Sequence, residues 1–487
     1  MSFFKKEMEM IIKVFMFNLL GLPKRNIDEC TDDDLVPLKN NKDIIFYENG
    51  FIYFHKSYDT IGYKISVSNS YDINYQLEMQ VFNKLLEKTE NFIKAPYFQY
   101  NERMLIYKNA LEEELIAALI NKDSKDIGKI VELLQKLKLW ASKSYEGKKM
   151  SFAFIIDPLE AKEDSKLDYI SFLDSDFSAT ITDGITSVIT LDLNCRYMDY
   201  NSIINKGLII FAALQSEKSI PIRFAQILCN YVHGQRLGII LLTNGDILLA
   251  RNMEILYVLR NGQWINFASN RYMLMIKSII SKRKINLADD KIKEMFATIL
   301  DVSFSHSGGI IAVVNRDSFL KKSIISEMDN YSSIYDGKKM TEEEYKKSLF
   351  VKFKEEYQEK YLAASNVERK LTDDQNKKIR AEFEKRFNKR IAIESLINNK
   401  NEGNIKFTSL NRKLRTELVG MDGATILDEN GGIIAFGAII ENEKGSSGGG
   451  RGAAASSLSN FGGFASKIST DGYIELYVDR EILYQIK

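Results

Sequence analysis

The chain has 487 residues, 27% of them charged, and its 67 Lys and Arg against 66 Asp and Glu leave a formal net charge of +1. That length accommodates about two to four domains with ample core, and so balanced a charge excludes reliance on nonspecific attraction to nucleic acid or to an anionic membrane. Three cysteines (Cys30, Cys195, Cys229) and three histidines (His55, His233, His306) are scattered, with no two at metal-ligand spacing. Neither a disulfide framework nor a zinc site is therefore expected, and a reducing, cytoplasmic compartment is.

In chain order, the first apolar run is MIIKVFMFNLLGL, Met10–Leu22, which is short and interrupted by Lys13 and Asn18. A membrane span needs about 20 apolar residues, so a buried or partner-docking helix is expected and membrane association is not. Residues 42–75 alternate in Tyr/Ile/Phe runs around Asn49-Gly50, which reads as a small antiparallel unit. YQLEMQVFNKLLEKTENFI, ERMLIYKNALEEELIAALIN and DIGKIVELLQKLKLWASK then repeat apolar residues at three- and four-residue spacing, as amphipathic helices do. Residues 151–200 become strand-like (SFAFIID, SVITLDL), and after a helix at IPIRFAQILCNYV come two hairpins turning on Asn244-Gly245 and Asn261-Gly262.

FAQILCNYVHGQRLGIILL from Phe224 echoes FATILDVSFSHSGGIIAVV from Phe296, each running helix, glycine, buried strand. If the echo is a duplication, the middle domain is a degenerate relative of the C-terminal one. Between Asp317 and Phe407 two helices open in capping-box spacing, Thr341 with Glu344 and Thr372 with Gln375. Stripes at four-residue spacing (Tyr345, Leu349, Phe353, Tyr357, Tyr361; Ile379, Phe383, Phe387, Ile391) predict a helical hairpin zipped along one face. Strand-like sequence resumes after it, so it reads as an insertion at about 332–400. The expected organisation is α/β and multi-domain: an N-terminal α+β region (1–200), a middle α/β domain with hairpins (201–284), and a C-terminal mixed sheet with helices on both faces (285–487).

Chemistry concentrates in the last part. Met421-Asp422-Gly423-Ala424 stands at a helix-to-strand junction, where an aspartate can reach a metal or a sugar hydroxyl and a glycine admits a ligand to the backbone. An ordinary Asp-Gly turn has the same sequence. About 25 residues on, GSSGGGRGAAASSLS (Gly445–Ser459) is by composition a flexible linker. Its flanks, however, are strands of one unit, and RGAAASSLS favours helix. Glycine amides leading into a helix N-terminus, with Arg451 beside them, make an anion site.

ELVGMDGATILDENGGII, the Gly-Arg-Ala-Ala stretch and ISTDG together resemble the nucleotide-binding domain of diadenylate cyclases, over roughly 287–487 without the insertion. The resemblance implies synthesis of cyclic di-AMP from two ATP with Mg2+ or Mn2+, by two such domains face to face in a homo-oligomer, under N-terminal sensor-like control. The family's Asp-Gly-Ala falls on Asp422, Gly423 and Ala424. Its Gly-Thr and Arg-His-Arg motif falls on Gly449, Gly450, Arg451, Gly452 and Ala453, keeping the first arginine alone. Of its final acidic pair, on Thr470 and Asp471, one carboxylate remains. On this carry-over Asp422 would be catalytic and bind metal with Asp471. Arg451 would hold the triphosphate with Gly448, Gly449, Gly450 and Gly452. Ser456 and Ser457, in the first turn of the helix, would add hydroxyl donors. A binding module that no longer joins two nucleotides is the rival reading, and a hairpin that recruits a partner is a third.

Overall fold

In the computed structural model the described residues are 28–31, 45–48, 51–55, 62–66, 83, 112–118, 120, 127–145, 148–159, 168–172, 182–202, 220–252, 254–267, 269–283, 285–321, 346–347, 350–351, 353–355, 372–384, 405–440 and 449–486. The expectations for residues 10–22, for the helix near 75–93 (Asn83 apart), for the Thr341 capping box and for Gly448 lie outside them. Contacts divide the chain into two units, 1–278 with 484–487, and 279–483.

The N-terminal unit begins with the expected antiparallel sheet: β1 (Asp28–Glu29), β2 (Ile45–Glu48), β3 (Phe51–His55) and β4 (Gly62–Ser66), in the order β1-β4-β3-β2. Glu48 pairs with Phe51; the Asn49-Gly50 turn expected between them lies outside the described residues. Residues 112–118 are helical, with Leu115, Ile116 and Ala117 wholly buried. Helix α1 (Gly128–Ala141) buries Ile130, Leu133, Leu134, Leu137 and Trp140, the spacing that its sequence announces.

After the short pair β5 (Ser144–Tyr145) and β6 (Lys148–Lys149) come β7 (Phe152–Ile156), α2 (Tyr169–Phe172), β8 (Ser187–Leu191), β9 (Tyr197–Ser202) and α3 (Ile222–Tyr231). A meander follows: β10 (Leu237–Leu241), β11 (Ile247–Arg251), β12 (Glu254–Arg260) and β13 (Gln263–Asn266). The order is β13-β12-β11-β10-β7-β8-β9, with β7 and β8 parallel and every other pair antiparallel. The division expected at residue 200 therefore cuts through one sheet. β7 is an interior strand paired on both sides, and Phe152–Ile156 is accordingly apolar without alternation and buried throughout. Asn261 (φ 50°) and Gly262 (φ 76°) form a two-residue turn of type I′. At Asn244-Gly245 the loop is longer: the Leu242 amide donates to the Asp246 carbonyl (2.8 Å) and only Gly245 takes positive φ, 92°.

Helix α4 (Ser269–Arg283) leads on to α5 (Asp289–Ser305), β14 (Gly309–Val313) and α6 (Arg316–Lys321), and later to α7 (Arg412–Val419), β15 (Ala424–Leu427) and β16 (Ile433–Ala438). Helix α8 (Gly449–Ser459), β17 (Phe464–Ile468), β18 (Ile474–Val478) and β19 (Glu481–Ile486) complete the chain. The sheet order is β16-β15-β14-β17-β18-β19, with β14 and β15 parallel. Ala455 and Leu458 of α8 pack on Ile310, Ala312, Ile426 and Ala465. Residues of opposite alternation meet α7 instead, where the Thr425 hydroxyl donates to the Leu418 carbonyl (3.2 Å). The unit is thus mixed α/β with helices against both faces.

Between β14 and α7, described residues of the two stretches of the insertion touch: Phe353 and Phe383, one from each stripe, and Phe350 beside them. Phe383 lies 5.1 Å from Phe350 and 5.6 Å from Phe353, ring to ring. Thr372 and Gln375 form the expected reciprocal cap: the Thr372 amide donates to Gln375 Oε1 (2.9 Å) and the Gln375 amide to Thr372 Oγ1 (3.3 Å).

Helices α5 and α7 are fastened by charge. Arg412 Nε donates to Asp301 Oδ2 (2.7 Å) and its Nη2 to Oδ1 (2.9 Å), and both side chains are buried. Arg415 Nη1 donates to Glu294 Oε2 (2.6 Å) and to the Thr408 carbonyl (3.1 Å). Burial pulls the Arg415 pKa down, and its bond to Glu294 opposes that. Asp301→Ala should cost about 3–5 kcal/mol in urea unfolding, because Arg412 would stay buried without its counter-charge. A loss below about 0.5 kcal/mol would contradict that.

Candidate functional site

Because β14 and β15 are parallel, the turns that enter them, at Gly308 and Asp422-Gly423, stand at one end of the sheet. β17 runs antiparallel to β14, so the turn from Ser469 to Tyr473 stands there too. Helix α8 begins at this end. Its far end is tied to the opposite edge, where the Ser456 hydroxyl donates to the Arg480 carbonyl (3.0 Å) and the Arg480 amide to Ser459 Oγ (2.9 Å).

Arg451, on the first turn of α8, lies across Gly308. A Cβ at Gly308 (φ 69°) would stand 2.8 Å from Arg451 Nη1 and 3.3 Å from Thr470 Cγ2. The Arg451 side chain is half-buried and has no hydrogen bond or ion pair among the described residues. Asp422 and Asp471 are exposed and equally without a partner there. The turn beside them is held firmly. His306 closes α5 at φ 54°, and its Nδ1 donates to the Thr470 carbonyl (2.9 Å), which requires the proton on Nδ1. Ser303 donates to the Gly472 carbonyl.

The glycines divide into two kinds. Gly449 and Gly450 face open space, and from Gly449 onward the stretch is helix rather than linker. Gly423 is different. It takes φ 98°, and a Cβ there would overlap the backbone of Gly437 on β16. The room it provides is taken by a neighbouring strand rather than by a ligand. Ala424 is sealed in the core, which leaves only its main chain for contact.

The placement of Ser456 and Ser457 in the first helical turn is corrected. Helix α8 already starts at Gly449, because Gly449 and Gly450 join it instead of forming the preceding loop, and Ser456 bonds at the far end. Residues that the motifs did not mark lie under the helix. Lys467 Nζ and the Tyr477 hydroxyl both donate to Glu475 Oε2, at 2.9 Å each. Burial and the Glu475 charge push the Tyr477 pKa up. Gly452 sits above them, with room for a Cβ at 3.6 Å from Tyr477 Oη and 3.9 Å from Lys467 Nζ. The alternation of KISTDGYIELY puts all three on one face with Ala465, the signal that could have marked them.

Among the described residues no three His, Cys, Asp or Glu side chains form a metal cage. Mg2+ does not need such a cage, since it can take one or two carboxylates and complete its shell with phosphate oxygens and water. No helix among the described residues is long and apolar enough to cross a membrane. No protein-family model, curated protein or solved structure matches the chain.

Gly423→Ala should destabilise the fold by about 1–3 kcal/mol with no ligand present, from backbone strain and overpacking against β16. Thermal or urea unfolding reads this directly. Unchanged stability would return Gly423 to a ligand-admitting role.

Proposed function

We propose that the C-terminal unit binds ATP at this end of the sheet and, paired with a second chain, condenses two ATP into cyclic di-AMP and two pyrophosphates. The observation that carries the reading is Arg451: a half-buried guanidinium without a partner among the described residues, on the first turn of a helix, at the sheet end that also holds exposed Asp422. Helix N-termini attract anions through their free amides and dipole, and a guanidinium adds charge-assisted hydrogen bonds.

In this reading Arg451 and the amides that open α8 hold the triphosphate, and Asp422 orients the ribose 3′-hydroxyl. Asp422 and Asp471 would hold Mg2+ or Mn2+ together with the phosphates, and the ion supplies neutralisation of their charge. Each 3′-oxygen attacks the α-phosphorus of the other nucleotide. One P–O bond forms as the bond to pyrophosphate breaks, and the hydroxyl proton passes to solvent. Positioning does most of the work, since the reacting atoms need an approach of about 3–3.5 Å. One site holds one nucleotide, so a two-fold pair of chains is the simplest assembly.

A non-catalytic nucleotide sensor is the second reading, favoured by Gly452 and Ala453. Both are buried in α8, and neither supplies a second phosphate-binding charge. Incubating the chain with ATP and Mg2+ or Mn2+ separates the two. Cyclic di-AMP, formed at a specific activity that rises with protein concentration, supports the enzyme, and bound ATP without product supports the sensor. Arg451→Ala should weaken ATP binding at least tenfold, about 1.4 kcal/mol. Equal affinity in calorimetry would contradict both.

A further inference from the structure

The two larger sheets of this chain are wired alike. In each, an interior strand third from one edge (β7 or β14) pairs in parallel with the next strand (β8 or β15), which turns back into the edge strand (β9 or β16). A helix (α3 or α8) follows, and an antiparallel run continues from the other side of that interior strand (β10-β11-β12 or β17-β18-β19). The registers agree: Ile156 lies opposite Leu191 and Leu237, as Val313 lies opposite Leu427 and Phe464.

Irregularities agree as well, and these do not follow from sheet physics. The ladder bulges between Thr190 and Leu191, and between Ile426 and Leu427. In the turn that follows, Asp192 Oδ1 accepts from the amides of Asn194 (2.9 Å) and Arg196 (2.8 Å). Asp428 Oδ1 accepts from those of Asn430 (2.9 Å) and Gly432 (2.7 Å). Cys195, at φ 58°, stands where Gly431 has φ 78°. The bridge between Asp168 and Arg196 matches that between Lys406 and Gly432. The next hairpins close alike: the Leu242 amide donates to the Asp246 carbonyl (2.8 Å) as the Ser469 amide does to the Tyr473 carbonyl (2.9 Å).

We infer that residues 128–260 are a second copy of the C-terminal fold in which the nucleotide site has been dismantled. The second half of this statement rests on the nucleotide reading above. The sequence echo had joined the wrong parts: it aligned β10 with β14, whereas β10 corresponds to β17 and β14 to β7.

The matched registers show what replaced the site. Level with Gly308 stands Ser151, whose hydroxyl donates to the carbonyls of Asp183 (2.8 Å) and Leu241 (3.1 Å). Level with Asp422 stands Thr186, whose hydroxyl donates to Asp183 Oδ2 (2.7 Å). Asp183 is occupied within its own turn, since its Oδ1 also accepts from the amides of Ile185, Thr186 and Ser187. Burial opposes that charge, but these donors outweigh it and lower the Asp183 pKa to about 2. In place of Asp471 is Asn244, whose Oδ1 accepts from the Asp246 amide (2.9 Å). Helix α3 opens on Pro221 and Ile222 rather than on glycines, and Arg223 lies over the Phe224 ring, 5.8 Å from its centroid. Both metal-binding carboxylates are thus absent from the copy. One competent site per chain also means that a product joining two nucleotides takes two chains.

Calorimetric titration of the full chain with MgATP tests this. The parent should bind one ATP per chain, and the folded double variant Asp422→Ala/Arg451→Ala should show no saturable binding. Two equivalents in the parent, or one surviving in the double variant, would overturn the inference. No binding in the parent would instead sink the nucleotide reading, and with it the claim that a nucleotide site was dismantled in the copy.

Discussion

The parallel pairing of β14 with β15 is the constraint on which the rest of the C-terminal unit depends. Neighbouring parallel strands need a crossover that returns the chain to the end where it started. Here that crossover carries α6, the helical insertion and α7, and it delivers Asp422 to the end already occupied by Gly308. An antiparallel pair would have placed those two turns at opposite ends of the sheet. With β17 antiparallel to β14, the Thr470-Asp471 turn joins them, and α8 opens above. Residues far apart in sequence are gathered by strand direction alone.

Three arginines of this unit differ in what answers their charge. Arg412 and Arg415 are buried and fastened to Asp301 and Glu294, so their charges serve the packing of α5 against α7. Arg451 is half-buried, and no carboxylate among the described residues answers it. A charge left so at a helix N-terminus does nothing for the folded chain by itself. It becomes favourable when an anion arrives. The surrounding turn is meanwhile rigid, through His306, Ser303 and the crowding of Gly423 against Gly437. Such preorganisation is what lets fixed donors act on a ligand without rearranging.

Much of this was legible in the sequence where a local rule decides the structure. Asn261-Gly262 makes its turn because both residues tolerate positive φ, and Thr372 with Gln375 caps a helix because the two side chains reach each other's amides. Elsewhere the deciding interaction is distant. Asp-Gly suggested room for a ligand at Gly423, but only the pairing of β15 with β16 reveals that backbone fills it. The glycine run hid the start of α8, since glycine has poor intrinsic helix propensity and yet Gly449 and Gly450 open the helix. The break expected at residue 200 falls within one sheet for a similar reason: within the sheet, β7 to β9 and β10 to β13 are joined by the pairing of β7 with β10, distant in sequence. The echo between Phe224 and Phe296 hinted at the inferred second copy but in the wrong alignment, because strands of like pattern can be aligned in several ways, and hydrogen-bond register alone selects one.

A crystal structure of the chain with Mg2+ and an ATP analogue that resists cleavage between the α- and β-phosphates tests the central claim most directly. The account predicts the triphosphate at the N-terminus of α8, in contact with Arg451, and the metal on Asp422. A nucleotide bound elsewhere in the chain, or a sheet end left empty at saturating analogue, would contradict it.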